Sequence, residues 1–449
     1  MTALTRALGE FVGGSTDIYI PEEARAMACR GFIDCVATMI AGQNEPASSL
    51  LVQVLDPSPG KSTLFFGSRM TDAPTAAWIN ATAAHAMDYD DVAFQSHPSA
   101  VLVPAILAEA QELGECGANM LDAYVVGYEV WGALACREQG ALHLKGWHPT
   151  GVWGAVAAAA ACARLRRLDA TQSTNALALG ASQSAGLMAN FGSMAKPFHA
   201  GKAAHAGVIA ARLAQAGFTG SNDALEHEQG LLAAVSQTGD TDRHTPFQLA
   251  DAWRIQYEGL SLKKYPACYA THRAIDAVKA LLESRKLQPD EIKQITILTN
   301  LRYATILRNH SPKTGLEAKF SMQFAVAAAV IANKVSLEEL QDQFVCRADV
   351  QQLMKKIIID PSQGLTNTHG SYEQADIHLH SGERLVSDKV TFPRGHFHVP
   401  LEEEEIRNKF YACLEWAGKE DAAPYLYQML SNLQSVRATD LGHTSDRNN

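Results

Sequence analysis

The sequence lacks the cysteine spacing, the basic excess and the glycine-rich loops on which several large functional classes depend. Its eight cysteines form no C-x-x-C pair, which argues against a zinc knuckle, a redox pair or a clustered iron–sulfur motif. The net charge is −10 and no basic stripe is present, so a nucleic-acid partner is not expected. No G-x-G-x-x-G, Walker loop or G-x-S-x-G occurs, so a nucleotide cofactor and an elbow-type serine hydrolase have no support.

Long hydrophobic runs are also missing. No segment reaches ~20 uninterrupted apolar residues, as a membrane-spanning helix would need. The first residues, MTALTRALGEFVGG, contain no apolar signal core. The 449 residues are 47% hydrophobic and 19% charged, which allows two or three domains with a large buried core. We therefore expect a soluble, cytoplasmic protein with no membrane partner.

The chain divides into two parts of different character. Residues 1–259 are predicted to form an all-α domain, and residues 260–395 a smaller α+β domain, so the fold class is mainly α. Predicted helices cover 22–42, 74–88, 98–114, 118–135, 150–166, 171–188, 197–217, 270–285, 317–333 and 400–417. Predicted strands cover 292–300 and 354–360, with a hairpin over 374–390 turning at Ser381-Gly382. The polar tail from residue 437 is expected to fray.

Three basic residues stand directly before prolines: His97-Pro98, His148-Pro149 and Lys196-Pro197. Proline suits the first turn of a helix, so each basic residue is predicted to lie at a helix N-terminus. That end carries the positive side of the macrodipole and free N–H groups, which favour an anion. The three together indicate a pocket for a carboxylate-rich small molecule, although each alone is equally typical of a plain helix start.

Polar clusters surround these junctions. Asp88, Asp90 and Asp91 precede His97, and such a carboxylate can fix an imidazole tautomer. The alternative for this cluster is a solvated acidic loop, and for Lys196 a surface turn. A further segment from Lys263 to His272 lies where the two parts meet, a common place for small-molecule sites. The candidate substrate-binding residues are Met188, Lys263, Tyr265, Cys268 and His272.

The remaining histidines form two i, i+2 pairs. His378 and His380, and likewise His396 and His398, alternate along strand-like runs. Such pairs can bind a metal ion, but no carboxylate or cysteine set accompanies them, so they are interpreted as surface strand histidines. No metal site is predicted.

Basic groups around an anionic ligand suit the removal of a proton next to a carboxylate. Cations and N–H donors that already surround the carboxylate oxygens lower the barrier to the carbanion, and a positioned base contributes ~100- to 10,000-fold more. The carbanion can then expel a β-hydroxyl, be reprotonated on the other face, or arise instead by loss of carbon dioxide. Dehydration, epimerisation and decarboxylation therefore share one intermediate.

At these residues the chain resembles the MmgE/PrpD family, which includes 2-methylcitrate dehydratases, cis-aconitate decarboxylases and iminodisuccinate epimerase. The similar segments run in the family's order and span most of the chain. They are HAMDYDD at 85–91, HPSAVLVPAI at 97–106, GWHPTG at 146–151, NFGSMAKPFHAGKAAHAG at 190–207, KKYPACYATH at 263–272 and EAKFS at 317–321.

The resemblance implies an all-α domain completed by residues 396–449, an α+β lid over 260–395, a homodimer, and no metal or organic cofactor. It implies that Asp88, His97, His148 and Lys196 are catalytic, and that the stretch from Lys263 to Cys268 forms the lid-side wall. The implied substrate is a small di- or tricarboxylate.

Two positions depart from the decarboxylase branch of the family. That branch carries a histidine in place of Cys268 and a threonine in place of Val92. We therefore expect a lyase that dehydrates a 2-methylcitrate-like hydroxy polycarboxylate. Epimerisation of an iminodisuccinate-like dicarboxylate is the alternative, ahead of a cis-aconitate-type decarboxylation and of a non-catalytic carboxylate-binding protein.

Overall fold

Helices make up most of the molecule, which confirms the mainly α fold class. The computed structural model describes residues 3–14, 18–138, 142–236, 239, 241–364 and 370–442. Its first helices are α1 (Leu4–Gly13), α2 (Glu22–Ala41), α3 (Pro46–Leu55), α4 (Ala73–Ala86), α5 (Pro98–Leu113), α6 (Gly117–Ala135), α7 (Leu142–Lys145), α8 (Pro149–Leu165), α9 (Ala170–Ala181), α10 (Ala195–Gln215), α11 (Leu231–Val235) and α12 (Arg254–Tyr257). Among the described residues, no helix has the length and apolar character required to cross a bilayer.

The second half of the chain mixes helices with a small sheet. Its helices are α13 (His272–Ser284), α14 (Leu301–Ile306), α15 (Gly315–Ala318), α16 (Met322–Ala332), α17 (Asp342–Val345), α18 (Ala348–Met354), α19 (Glu403–Trp416) and α20 (Ala423–Ser431). The strands are β1 (Ser62–Thr63), β2 (Met70–Thr71), β3 (Ile292–Leu298), β4 (Ile357–Asp360), β5 (Gln374–Leu379) and β6 (Arg384–Val386). The larger sheet has the order β4-β3-β5-β6, with β3 parallel to β4 and antiparallel to β5.

The buried apolar side chains form two separate clusters. The larger one joins helices from both ends of the chain, from Leu8 in α1 to Phe410 in α19. The smaller one packs α13 and α16 against the sheet, with Phe324 and Ile377 wholly buried. The domain boundaries at 260 and 396, and the lid role of the α+β part, stay predictions.

Small residues let helix α10 pack closely against its neighbours α4 and α8. A Cβ built on Gly207 in α10 would lie 2.3 Å from the Cβ of Ala158 in α8, far inside van der Waals contact. A Cβ on Gly201 would lie 2.6 Å from the carbonyl oxygen of Trp78 in α4. Because α10 can approach both neighbours only through these glycines, they fix the position of its first turn relative to the end of α4.

The helix predicted over 171–188 is too long, since α9 ends at Ala181. The chain then leaves the helix and Gly186 adopts a φ of 126°, outside the helical region. This exit lets the Gly186 carbonyl accept a hydrogen bond of 3.0 Å from the backbone N–H of His148. The early stop therefore helps to place a predicted site residue.

The helix predicted over 317–333 is also wrong as one element. It is divided into α15 and α16, because the Ser321 side chain accepts a hydrogen bond from Phe324 N and caps a new helix. The break presents Lys319 and Phe320 between the two helices. The expected fraying of the tail is wrong for 438–442, which form a 3-10 helix with Ala438 and Leu441 buried; residues 443–449 lie outside the described part.

Replacing Gly207 with alanine should destabilise the protein, because the new methyl group meets the Ala158 methyl at the α8–α10 contact. We expect the free energy of unfolding in urea to fall by about 1–3 kcal/mol, as for other overpacked cores. Gly67→Ala is the matched control, since its Cβ would meet one atom, the Leu64 carbonyl oxygen at 3.3 Å. Equal stability of the two variants would contradict the close packing.

Candidate active site

A cavity of about 760 Å³ contains most of the predicted site residues in its wall. Asp88, His97, His148, Lys196 and Cys268 all line it. The first four come from the helical part and Cys268 from the segment entering the α+β part, so the cavity lies between the regions of the two apolar clusters. His97 and His148 are the N-cap residues of α5 and α8, as their following prolines predicted. Lys196 lies inside the first turn of α10, which begins at Ala195.

The carboxylate of Asp88 is the centre of a buried charge cluster. Its Oδ1 accepts hydrogen bonds from Lys196 Nζ at 3.0 Å and from Lys263 Nζ at 2.7 Å. Lys263 Nζ also donates to the Asp88 carbonyl oxygen at 2.8 Å, which holds a residue whose φ of 49° is unusual for a non-glycine. Burial alone would raise the pKa of Asp88, but the two ammonium groups hold it well below its usual range.

Asp90 orients two histidines. Its Oδ2 lies 2.9 Å from His85 Nδ1 and 3.1 Å from His97 Nδ1. His97 Nδ1 also lies 2.9 Å from the Asp91 carbonyl oxygen, which can only accept, so Nδ1 carries the proton in the neutral ring. The lone pair of His97 is therefore on Nε2, and 13% of the side chain is exposed in the cavity wall.

The imidazoles of the site are held neutral. Burial lowers the pKa of His85 to about 3, and it also lowers the pKa of His97 and of His148, with the charge of Lys196 adding to each effect. His148 Nδ1 lies 3.1 Å from His199 Nδ1, and burial lowers the pKa of His199 to about 4. At neutral pH these rings act as bases or neutral donors rather than as cations.

Lys196 supplies the positive charge of this end of the cavity. Besides Asp88, its Nζ contacts His85 Nε2 at 2.8 Å, so the neutral ring accepts from the ammonium. The rings of Phe191 and Phe320 lie with their centroids 5.4 and 5.3 Å from Nζ. The apolar rings exclude water, which strengthens the attraction of the ammonium for an anion.

Asp91 differs from its neighbours because it faces no cation. It accepts hydrogen bonds from Ser99 Oγ at 2.5 Å and Ser99 N at 3.3 Å. Burial, together with the charge of Asp34, raises its pKa to about 8. Asp91 is thus a largely neutral carboxyl group at pH 7, whereas Asp88 and Asp90 are anionic.

The same cluster could be considered as a metal centre. His85, Asp88, Asp90 and His97 offer four ligand atoms within 4.8 Å of one another. However, Lys196 Nζ occupies His85 Nε2 and Asp88 Oδ1, and both Nδ1 atoms face Asp90. A cation that used His85 Nε2 or Asp88 Oδ1 would have to displace the Lys196 ammonium, and the charges of Lys196 and Lys263 would repel it, so the donor set does not suit a metal ion.

The other predicted substrate-binding residues do not line the cavity. Lys263 is wholly buried behind Asp88. Tyr265 points into the smaller core and donates to Asp276 Oδ1 at 2.6 Å, and His272 Nε2 lies 3.2 Å from the Ala267 carbonyl oxygen. Met188 is part of a 3-10 turn, where its N–H donates to Gly146 O.

The structure places the two predicted histidine pairs in different surroundings. His378 lies on β5 and His380 follows it on the surface. His396 and His398 were wrongly assigned to a surface strand, since both line the cavity in the loop after the sheet, against Phe392.

Several residues of the site were not predicted as such. His85 stood in the acidic cluster without an assigned role, and Asp90 was one of three carboxylates considered for fixing an imidazole tautomer. Lys319, in the segment EAKFS, donates to the Ala86 carbonyl at 2.9 Å and so steadies the turn that carries Asp88. Further wall residues are His143, Phe191, Arg273, Arg302 and Phe320. For Phe320 the sequence does carry a local signal, because Ser321 can cap a new helix and so leaves Phe320 in the break before it.

Comparison with known proteins gives two matching family models and several curated relatives. The models are the MmgE/PrpD N-terminal domain over residues 6–244 and the MmgE/PrpD C-terminal domain over residues 265–433. The cis-aconitate decarboxylase of Homo sapiens is 29% identical over 378 residues, which cover 80% of this chain and 76% of that protein. The enzyme of the same name from Mus musculus is 30% identical over 351 residues, covering 75% and 71%. The cis-aconitate decarboxylase-like protein oryM of Aspergillus oryzae is 26% identical over 421 residues, covering 87% and 86%.

Asp91→Asn should remove a pH dependence of stability. The folded pKa of Asp91, about 8, lies above the value of ~3.9 for an unfolded chain, so the native state binds the extra proton and loses stability as pH rises from ~4 until Asp91 is ionised above about 8. Between pH 7 and 9 the wild type should lose roughly 1 kcal/mol more than the variant in urea unfolding. Asp290→Asn, at an exposed carboxylate, is the control and should behave as wild type. Parallel curves for wild type and Asp91→Asn would refute the assignment.

Proposed function

Because the chain belongs to the MmgE/PrpD family, we propose that it is a lyase that forms a carbanion next to a carboxylate of a small di- or tricarboxylate. One observation carries this proposal: a neutral imidazole with a free Nε2 lone pair, His97, lies in the same cavity wall as the Lys196 ammonium. A base and a cation in one partly dry site are what removal of a proton next to a carboxylate requires.

In this mechanism Lys196 holds the reacting carboxylate and stabilises the charge that develops on its oxygens. The N-termini of α5 and α8, capped by His97 and His148, add the positive ends of two helix dipoles. Asp88 keeps Lys196 in place through a 3.0 Å bond, so little reorganisation is needed when the carbanion forms.

His97 is the proposed base. Nε2 takes the proton from the carbon, while Nδ1 stays bound to the Asp91 carbonyl and to Asp90. The Asp90 carboxylate then stabilises the imidazolium, the role a carboxylate plays behind a catalytic histidine elsewhere. The electron pair left on carbon expels a β-hydroxyl, which leaves as water after accepting a proton from the Lys196 ammonium.

Dehydration of a 2-methylcitrate-like hydroxy polycarboxylate is the reaction we place first. It needs a base for the first step, whereas decarboxylation needs only a proton donor after carbon dioxide has left. Val92 and Cys268 both line the cavity, at the two positions where the chain departs from the decarboxylase branch that it resembles. Epimerisation would use the same base and stop at reprotonation.

Decarboxylation is the second candidate, and the comparisons favour it. Three relatives at 26–30% identity are named as cis-aconitate decarboxylases or decarboxylase-like. Loss of carbon dioxide from such an acid yields a carbanion that Lys196 would stabilise in the same way. The apolar rings of Phe191 and Phe320 beside Nζ would favour a leaving group that carries no charge.

A single NMR assay in deuterated water separates the reactions. The purified chain is incubated with 2-methylcitrate, cis-aconitate and an iminodisuccinate-like dicarboxylate. A new vinylic signal from the hydroxy acid supports dehydration, and α-deuteration with racemisation identifies an epimerase. Loss of carbon dioxide from cis-aconitate identifies a decarboxylase. Neither exchange nor turnover over a broad panel would refute carbanion chemistry and leave a carboxylate-binding protein.

His97→Asn should abolish proton abstraction while leaving the ring's structural contact in place. The asparagine amide can still donate to the Asp91 carbonyl as Nδ1 does, but no basic nitrogen replaces Nε2. We expect kcat to fall by about 100- to 10,000-fold, with deuterium exchange falling equally. His380→Asn, at an exposed position on the hairpin, should keep full activity. Retained activity in His97→Asn would exclude His97 as the base.

The resemblance also predicts a homodimer, and the composition of the sequence predicts a cytoplasmic location. Both stay predictions, and light scattering of the purified chain would test the first.

A further inference from the structure

Two arginines lie in the cavity wall apart from the Lys196 cluster. Arg302 belongs to α14 and Arg273 to α13, and both side chains line the cavity although the residues are only 6% and 5% exposed. No hydrogen bond or ion pair of Lys196 among the described residues involves either guanidinium. The proposed chemistry gives these groups no role.

Arg302 is a buried cation without an anionic partner. Its guanidinium donates to His143 Nδ1 at 2.6 Å, and within the described ranges no carboxylate oxygen lies within 4 Å of it. Burial, with the charge of Arg302, keeps the pKa of His143 well below its usual range, so His143 accepts as a neutral ring. His143 therefore fixes the orientation of Arg302 without compensating its charge.

Arg273 is held in a similar way. One end donates to the Ser371 carbonyl at 2.7 Å and to the Ser371 hydroxyl at 3.0 Å, and the other end donates to the Tyr303 hydroxyl at 3.0 Å. In the part of the chain that the structure describes, no carboxylate oxygen lies within 4 Å of it, but the charge of the buried Glu373 acts on Arg273, so Arg273 is partly compensated and Arg302 is not. Tyr303 follows Arg302 directly, so one short helix connects the two guanidinium groups.

An oriented, buried and uncompensated guanidinium is costly unless a ligand supplies the missing charge. The Lys196 end differs, because Asp88 already pairs with its ammonium. The cavity of about 760 Å³ is also large for one carboxylate, since pockets of ~300–1,000 Å³ enclose whole drug-sized ligands. The planar fork of an arginine matches a carboxylate in geometry as well as in charge.

We propose that Arg302 and Arg273 form a second anion site, which binds a carboxylate of the substrate remote from the one held at Lys196. This inference rests on the proposed function, and it deepens it by assigning selection for polycarboxylates over monocarboxylates to the two arginines. The substrate class is then an acid with at least two carboxylates, long enough to reach from Lys196 to Arg302.

The test is a calorimetric titration of the full-length chain with propane-1,2,3-tricarboxylate and, separately, with butyrate. Both are non-hydroxylated acids, so neither can be dehydrated. Arg302→Gln should weaken tricarboxylate binding at least tenfold and leave butyrate binding unchanged. Arg302→Lys, which keeps the charge without the fork, should fall between. Arg347→Gln, at an exposed arginine paired with Asp349, is the matched control and should bind as wild type.

Thermal melting first shows that each variant folds, and Arg302→Lys carries the test if the glutamine variant does not. The proposal would be overturned if the folded variants bound the tricarboxylate as tightly as the wild type, or if their affinity for both acids fell equally. It would also be overturned if the wild type did not bind the tricarboxylate. Stronger binding of inorganic phosphate than of the tricarboxylate would also overturn it. If Arg302→Gln weakens tricarboxylate binding as expected but the wild type turns over no substrate, the second anion site is supported and the proposed reaction is refuted.

Discussion

The buried carboxylate of Asp88, held between the ammonium groups of Lys196 and Lys263, is the interaction on which the site depends. It joins the turn after α4, the first turn of α10 and the segment that enters the α+β part. Removing the Asp88 carboxylate would take this partner from two buried ammonium groups at once, which is far more destabilising than losing an exposed ion pair. Asp90 is anionic as well and its charge also acts on Lys263, so the two ammonium groups are balanced by two carboxylates.

The burial of this cluster and its charges explain the protonation states of the side chains around it. Burial keeps His85, His97 and His148 neutral, and the nearby ammonium groups add to this effect, whereas the charge of Asp90 opposes it at His85 and His97. Asp90 is anionic because it faces the two ring N–H groups, and Asp91 is neutral because it is buried near the Asp34 charge with no cation beside it. Among the three acidic residues of this segment, Asp88 and Asp90 are thus anionic and Asp91 is neutral, as decided by what each side chain meets rather than by its type.

The local sequence pattern predicted the positions of those site residues that lie at helix N-termini. Proline after His97 and His148 placed both at N-caps, and the lysine before Pro197 fell within one turn of its expected place. The sequence pattern did not predict the position of side chains that depend on contacts between residues far apart in the sequence. Tyr265 has a hydroxyl that could bind a substrate, but this hydroxyl donates to Asp276 at the smaller core instead. Arg302 had no local signal, because it reaches the cavity only when α14 packs beside His143, far away in the sequence.

The two cationic ends of the cavity differ in a way that suits binding and catalysis separately. At Lys196 the charge is already balanced by Asp88, so a carboxylate there gains little in the ground state and more as negative charge accumulates in the transition state. At Arg302 the charge is unbalanced, so a remote carboxylate gains its full attraction on binding. Binding energy from the non-reacting end can then hold the acid against His97. On this division the arginines determine which acids enter, and uncharged wall residues such as Val92 and Cys268 are left to determine which product forms.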